Sequence, residues 1–93
     1  MEIIIEKHTG NFAENKDTAA KLRESFIRPA LVKNEPIILD FKNVDSTTQS
    51  FIHALISKIF QEIGEPALDV FEFRNCSIPV KSLVSTVISY SLD

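Results

Sequence analysis

Apolar positions along the chain alternate between short β-branched runs and longer stretches at helical spacing, and that alternation sets the expected architecture. Ile3-Ile4-Ile5-Glu6 is a β-branched run, closed by the turn signals Gly10 and Asn11, and predicts a strand at about 2–7. Asn15 or Asp17 can then cap a helix in which Ala19, Leu22, Phe26 and Ala30 share the apolar side, with Lys16, Glu24 and Arg28 on the wet side. This helix is expected over about 16–32, broken or kinked near 28 because Pro29 lacks a backbone donor and clashes with the preceding turn. Ile37-Ile38-Leu39-Asp40-Phe41 is apolar on both faces except near its end, which reads as a central strand covered on both sides.

Phe51, Ile52, Leu55, Ile56, Ile59, Phe60 and Ile63 define the broadest helical face in the chain, stopped by Gly64-Glu65-Pro66, and predict a helix at about 47–63. Leu68 to Phe73 predicts a third strand, with Asp69 and Glu72 favouring an edge or a face that meets water. Ser77 can cap a last helix at about 78–91, with Pro79 in its first turn and Val80, Leu83, Val84, Val87 and Ile88 inward. The order is β-α-β-α-β-α. Such alternation implies an α/β domain with parallel strands joined by right-handed crossovers.

Ninety-three residues with 44% hydrophobic content fit one small domain, which can complete its burial by dimerising or docking on a partner. The formal net charge of −3, with Lys and Arg scattered among carboxylates, argues against nucleic acid as a partner. Cys76 is the single cysteine, so no intrachain disulfide forms, and the composition fits a reducing, cytoplasmic setting. No apolar run approaches the length of a bilayer span, so a membrane is not an expected partner.

The corner between the central strand and the longest helix carries most of the functional signal. Asp40, Asp45, Ser46, Thr47, Thr48, Gln49 and Ser50 gather where open α/β sheets present their functional loops, beyond the carboxyl ends of the strands. Ser46 and Gln49 fit an S-x-x-Q capping box, a purely structural reading of the same residues. A hydroxyl in the first helical turn, Thr48 or Ser50, would place an added phosphate where free backbone donors favour negative charge, while Asp40 and Asp45 oppose it.

Leu39-Asp40-Phe41 and Val44, followed by Ser50-Phe51 and preceded by Leu22-Arg23-Glu24, resemble motifs of the STAS-like family, small relatives of the bacterial anti-sigma factor antagonists. The similarity spans about residues 12–92. In the wider superfamily the strand reads L-D-[LF]-x-x-V and the helix opens with D-S-[ST]-G. Laid onto Thr48-Gln49-Ser50-Phe51, the aspartate becomes Thr48, the usual phosphoacceptor serine becomes Gln49, the second hydroxyl is Ser50 and the glycine becomes Phe51. Gln49 cannot accept a phosphate, which leaves Ser50 as the candidate phosphoacceptor. The resemblance implies a β-α superhelix with helices mainly on one face of the sheet. It also implies a non-catalytic signalling module whose partner is a histidine-kinase-like ATPase, with the residues of the corner as the binding surface.

Other chemistry is thinner. His8 and His53 lie in different elements without ligand spacing, and nothing in the sequence joins Cys76 to His53 for thiol catalysis, so neither a catalytic set nor a metal site is assigned. Gly10 and Gly64 are the only glycines, too few for a phosphate-cradling loop, and no cofactor is implied. The seven Phe residues are read as packing, with Phe12 or Phe71 held as a candidate contact patch. Two rival functions stay open: a small ligand- or metal-binding enzyme subunit using Asp40, Asp45 and Thr48, and a homodimer paired through an edge strand or an apolar helix face.

Overall fold

The computed structural model describes residues 1–93. Three parallel strands, β1 (Glu2–Ile4), β3 (Ile37–Asp40) and β5 (Phe71–Arg74), form a sheet in the order β1-β3-β5. The register aligns Ile3, Leu39 and Phe73 in one row and Ile4, Asp40 and Arg74 in the next. A second parallel pair, β2 (Phe12–Ala13) with β4 (Ser46–Thr47), continues the chain beyond the carboxyl ends of β1 and β3.

The helices are α1 (Glu6–Thr9), α2 (Lys16–Val32), α3 (Gln49–Ile63), α4 (Ala67–Val70) and α5 (Ile78–Ser91). The middle rod, α3, packs between α2 and α5. Strand alternation puts Ile3, Ile37, Leu39 and Phe71 in the core, where they meet Phe41, Phe51, Ile56 and Phe60. The chain is thus an α/β domain with a small parallel sheet and helices packed on it, as the alternating pattern predicts.

The opposite face of the sheet is not covered, contrary to the expectation for β3. Glu2, Glu72 and Arg74 are exposed there, and Arg74 pairs with Glu72 and, at 3.7 Å, with Glu2. Flanked by Glu2 and Glu72 in register, Ile38 is half-buried, so an apolar residue on this face does not require a second helical layer.

Both long helices contain a π-helical turn, Arg23–Ile27 in α2 and His53–Ser57 in α3. The first explains why Pro29 does not break α2. In the wider turn the Arg28 N–H donates to the Arg23 carbonyl, five residues back, and the proline enters the following α-helical segment at its start, where a missing donor costs little. The extra residue also shifts the apolar phase. Leu22 is followed inward by Ile27, while Phe26, expected in the core, is 37% exposed. At the far end of α3, Ile63 is likewise on the surface rather than on the buried face.

Arg23 joins the two π turns. Its Nη1 donates to the Ala54 carbonyl at 2.7 Å, its Nε to Glu24, and the chain of charges continues from Glu24 to Arg28 and from Arg28 to Glu62. Glu24 and Glu62 titrate below their ordinary range, Glu24 chiefly through its hydrogen bond from Arg23 and Glu62 through that from Arg28. On the other side of α3, Ser57 and Ser91 share a buried 2.7 Å hydrogen bond with α5, and Ser91 also donates to the Val87 carbonyl. Buried hydroxyls paired in this way fix the register of two apolar helices.

Three boundaries differ from the sequence expectation. The first strand stops at Ile4, because His8 and Thr9 both donate to the Ile5 carbonyl and wind residues 6–9 into a helical turn closed by Gly10 at φ 74°. The third strand begins only at Phe71: Gly64, Glu65 and Pro66 carbonyls accept from Ala67, Leu68 and Asp69, so the segment assigned to its first half is helical. Finally, neither β2 nor β4 is expected as a strand from the sequence, in which Ser46 and Thr47 read as the entry of the next helix.

Candidate functional site

The corner after β3 is a braced structure rather than a bare loop. Asp40, at the end of the strand, accepts from the Lys42 N–H and from Asn75 Nδ2, both at 2.9 Å. The Asn75 bond first, and the Lys42 amide second, hold its carboxyl below the usual aspartate range. Asn43, at φ 66°, takes the left-handed conformation that lets the Val44 N–H return to the Phe41 carbonyl and sends Val44 into the core. Asp45 is exposed, its N–H bonded to the Asn11 carbonyl, its carboxylate 3.5 Å from Asn11 Nδ2, and its carbonyl bonded by the Ser77 hydroxyl at 2.9 Å.

Ser46 and Thr47 form β4 against Phe12 and Ala13. The Thr47 hydroxyl is buried and donates to the Ala13 carbonyl at 2.7 Å, and the Thr48 N–H donates to the same carbonyl. The expected Ser46–Gln49 capping box does not form. Thr48 caps α3 instead, its Oγ1 accepting from the Phe51 N–H at 3.1 Å, because pairing of Ser46 and Thr47 with β2 keeps the chain extended two residues longer. Thr48 occupies the position where the superfamily places aspartate, and an aspartate there could accept the same bond.

Of the seven corner residues singled out in the sequence, five therefore build the corner. Gln49 and Ser50 are the two that turn outward, both exposed in the first turn of α3. They line a shallow groove of about 470 Å³ with Lys16, His53, Ala54 and Tyr90. Lys16 comes from the first turn of α2, which Asn15 caps by accepting from Asp17 and Thr18. His53 Nδ1 and the Tyr90 hydroxyl share a 2.8 Å hydrogen bond that fixes both rings at the rim.

Lys16, His53 and Tyr90 line this groove and are not among the residues singled out in the sequence. Ser50 and His53 are three apart on one helix and share a face, a signal present in the sequence. Lys16 was accessible too, since parallel crossovers bring helix starts to the same end of a sheet. Tyr90 arrives only through the packing of α5 on α3.

The carboxylates of the rival enzyme reading do not converge. Asp40 is turned to Asn75, Asp45 to Asn11, and the Thr48 hydroxyl is committed to its own helix. Cys76 lies in another groove, with Phe73, Asn75, Lys81, Val84, Ser85 and Ile88, where burial raises its thiol pKa, whereas His53 pairs with Tyr90. Phe71 packs against Phe60 and Phe73 and is buried, leaving Phe12, 44% exposed, as the only survivor of the candidate aromatic patch.

Three parallel strands in sequential order, with a braced corner opening a central helix, define the class: an α/β domain consistent with a STAS-like fold. A family model described as STAS-like domain of unknown function (DUF4325) matches residues 18–81, and the chain belongs to that family. The matched span runs from the first turns of α2 to the first turn of α5, and so contains the corner and Leu22-Arg23-Glu24. No curated protein and no solved structure matches the chain significantly. No helix is long and apolar enough to cross a membrane.

Proposed function

We propose that the chain is a non-catalytic regulatory module, related to anti-sigma factor antagonists, that docks on a protein partner through the groove at the start of α3. The observation carrying this reading is the division of labour at the corner: Asp40, Thr47 and Thr48 spend their polar atoms on bracing it, which leaves Gln49 and Ser50 presented to solvent beside Lys16 and the His53–Tyr90 pair. Rigid presentation of a few polar side chains lowers the ordering cost of binding.

The family resemblance supports a histidine-kinase-like ATPase as partner, acting in the cytoplasm, and Ser50 as the residue such a kinase would modify. A phosphate on Ser50 would stand in the first turn of α3, with Lys16 lining the same groove, so it would change the charge of the docking surface while favouring the helix. The test is calorimetric titration of the 93-residue chain against a purified histidine-kinase-like ATPase encoded in the same genome, with Gln49→Ala, Ser50→Asp and His53→Glu in parallel. Binding that weakens at least about tenfold in two of the three supports the proposal. Absence of binding, or equal affinity in every variant, refutes it.

A further inference from the structure

Two strand edges are open to solvent, and backbone phase distinguishes them. On β1, the Met1 carbonyl accepts from Ile38 and the Ile5 N–H donates to the Asp40 carbonyl, so the odd residues face β3. Alternation then points the N–H and C=O groups of Glu2 and Ile4 outward. On β5, the Arg74 carbonyl accepts from Phe41, which turns Glu72 and Arg74 toward β3; the Phe71 N–H is already taken by Ala67, and Phe73 is left as the one residue offering both groups. The β1 edge is therefore the more complete template. Within Glu2–Ile4 there is no proline and no lysine; what blunts this edge is its three-residue length and the exposed Glu2, which a pairing centred on Ile3 would set opposite an isoleucine rather than a like charge.

We infer that β1 pairs antiparallel with β1 of a second copy of this chain, forming a continuous six-stranded sheet with Ile3 on the two-fold axis. That register places Glu2 opposite Ile4 of the other copy. Both are residues whose backbone groups face outward, so each pair exchanges two hydrogen bonds and the interface closes with four, while Ile3 meets its own copy as the non-hydrogen-bonded pair. The phase is self-complementary, which is the requirement for a closed two-fold contact. A neighbouring groove of about 240 Å³ supplies the apolar component: Met1, Ile4 and Phe26 line it with Lys7 and His8, and Phe26 is the residue that the π turn of α2 turns out of the core. A second copy brings its own Phe26 and Met1 to the same seam, covering exposed apolar surface that a domain of this size can ill leave wet.

Sedimentation equilibrium of the full chain across about 1 to 100 µM tests the pairing, a range chosen to catch Kd values typical of small interfaces. A mass rising to twice the 10.5 kDa monomer is expected. Ile4→Pro removes a donor that no intrachain bond uses, and Phe26→Lys charges the seam from an exposed helical position; each should return the protein to monomer with its far-UV circular dichroism unchanged. If Ile4→Pro perturbs the fold, Phe26→Lys decides. A wild-type monomer throughout, a dimer that survives Phe26→Lys, or a dimer abolished instead by Phe73→Pro on the other edge overturns the inference.

Discussion

Replacing Arg23 probes the contact that holds the two crossover helices in register. The guanidinium is mostly buried, 16% exposed at the side chain, and its Nη1 reaches the Ala54 carbonyl at 2.7 Å inside the π turn of α3. A charge-assisted hydrogen bond contributes about 1.5–3 kcal/mol, and Arg23→Ala also leaves the Ala54 carbonyl without this donor. The exposed bond to Glu24 adds little. A loss of about 2 kcal/mol is therefore expected, which for a domain of this length lowers Tm by roughly 10 °C. Arg23→Lys should recover only part of it, because an ammonium lacks the planar fork that serves Ala54 and Glu24 together. Urea unfolding followed by circular dichroism measures this directly, with the m-value reporting whether the folded state stays equally compact. Glu24→Ala is the internal control, since it removes the exposed arm and keeps the buried one. An Arg23→Ala variant within about 0.5 kcal/mol of wild type would show that water replaces the guanidinium at no cost, and the reasoning would fail.

Other expected outcomes are as specific. Thr48→Ala should cost about 1 kcal/mol in urea unfolding through loss of the α3 cap, and Thr48→Asp should restore most of it; equal stability of all three would mean the cap is idle. Ser50→Asp places a carboxylate in the first turn of α3 and should raise stability by about 0.5 kcal/mol at low salt, an increment that disappears in high salt. Asp40 titrates below its ordinary value of 3.8, so its contribution is complete above that value and is lost as pH falls through the lower folded-state pKa; an acid-unfolding profile of Asp40→Asn should therefore be flatter than wild type below about pH 4.

Element identity was legible in the sequence wherever a local rule decided it. The helical spans at 16–32 and 78–91 agree with the structure, as do the Asn15 and Ser77 caps, because periodicity and capping chemistry depend on neighbours within a few residues. The discrepancies have two causes: a distant backbone group captured a segment, or a local turn changed the course or phase of the chain. Ser46 and Thr47 look like a helix entry until Phe12 and Ala13 are placed beside them, and then an extended pair is the better use of their donors. Phe26 looks inward on an α-helical period and turns outward on the π turn that accommodates Pro29. At the corner, the sequence could not separate bracing residues from presented ones, since that division rests on Asn75, Asn11 and Ala13, none of which lies nearby in the chain.

The widened turn at His53–Ser57 makes the orientation of the groove a matter of chain length within one short segment. Deleting a single residue there would rotate the whole turn Gln49–Ile52 by about 100° relative to Ile59 and Phe60, drawing Phe51 and Ile52 out of the core as it re-aimed Gln49 and Ser50. The inserted residue is thus what lets both halves of the rod keep their apolar sides inward while Gln49 and Ser50 look out.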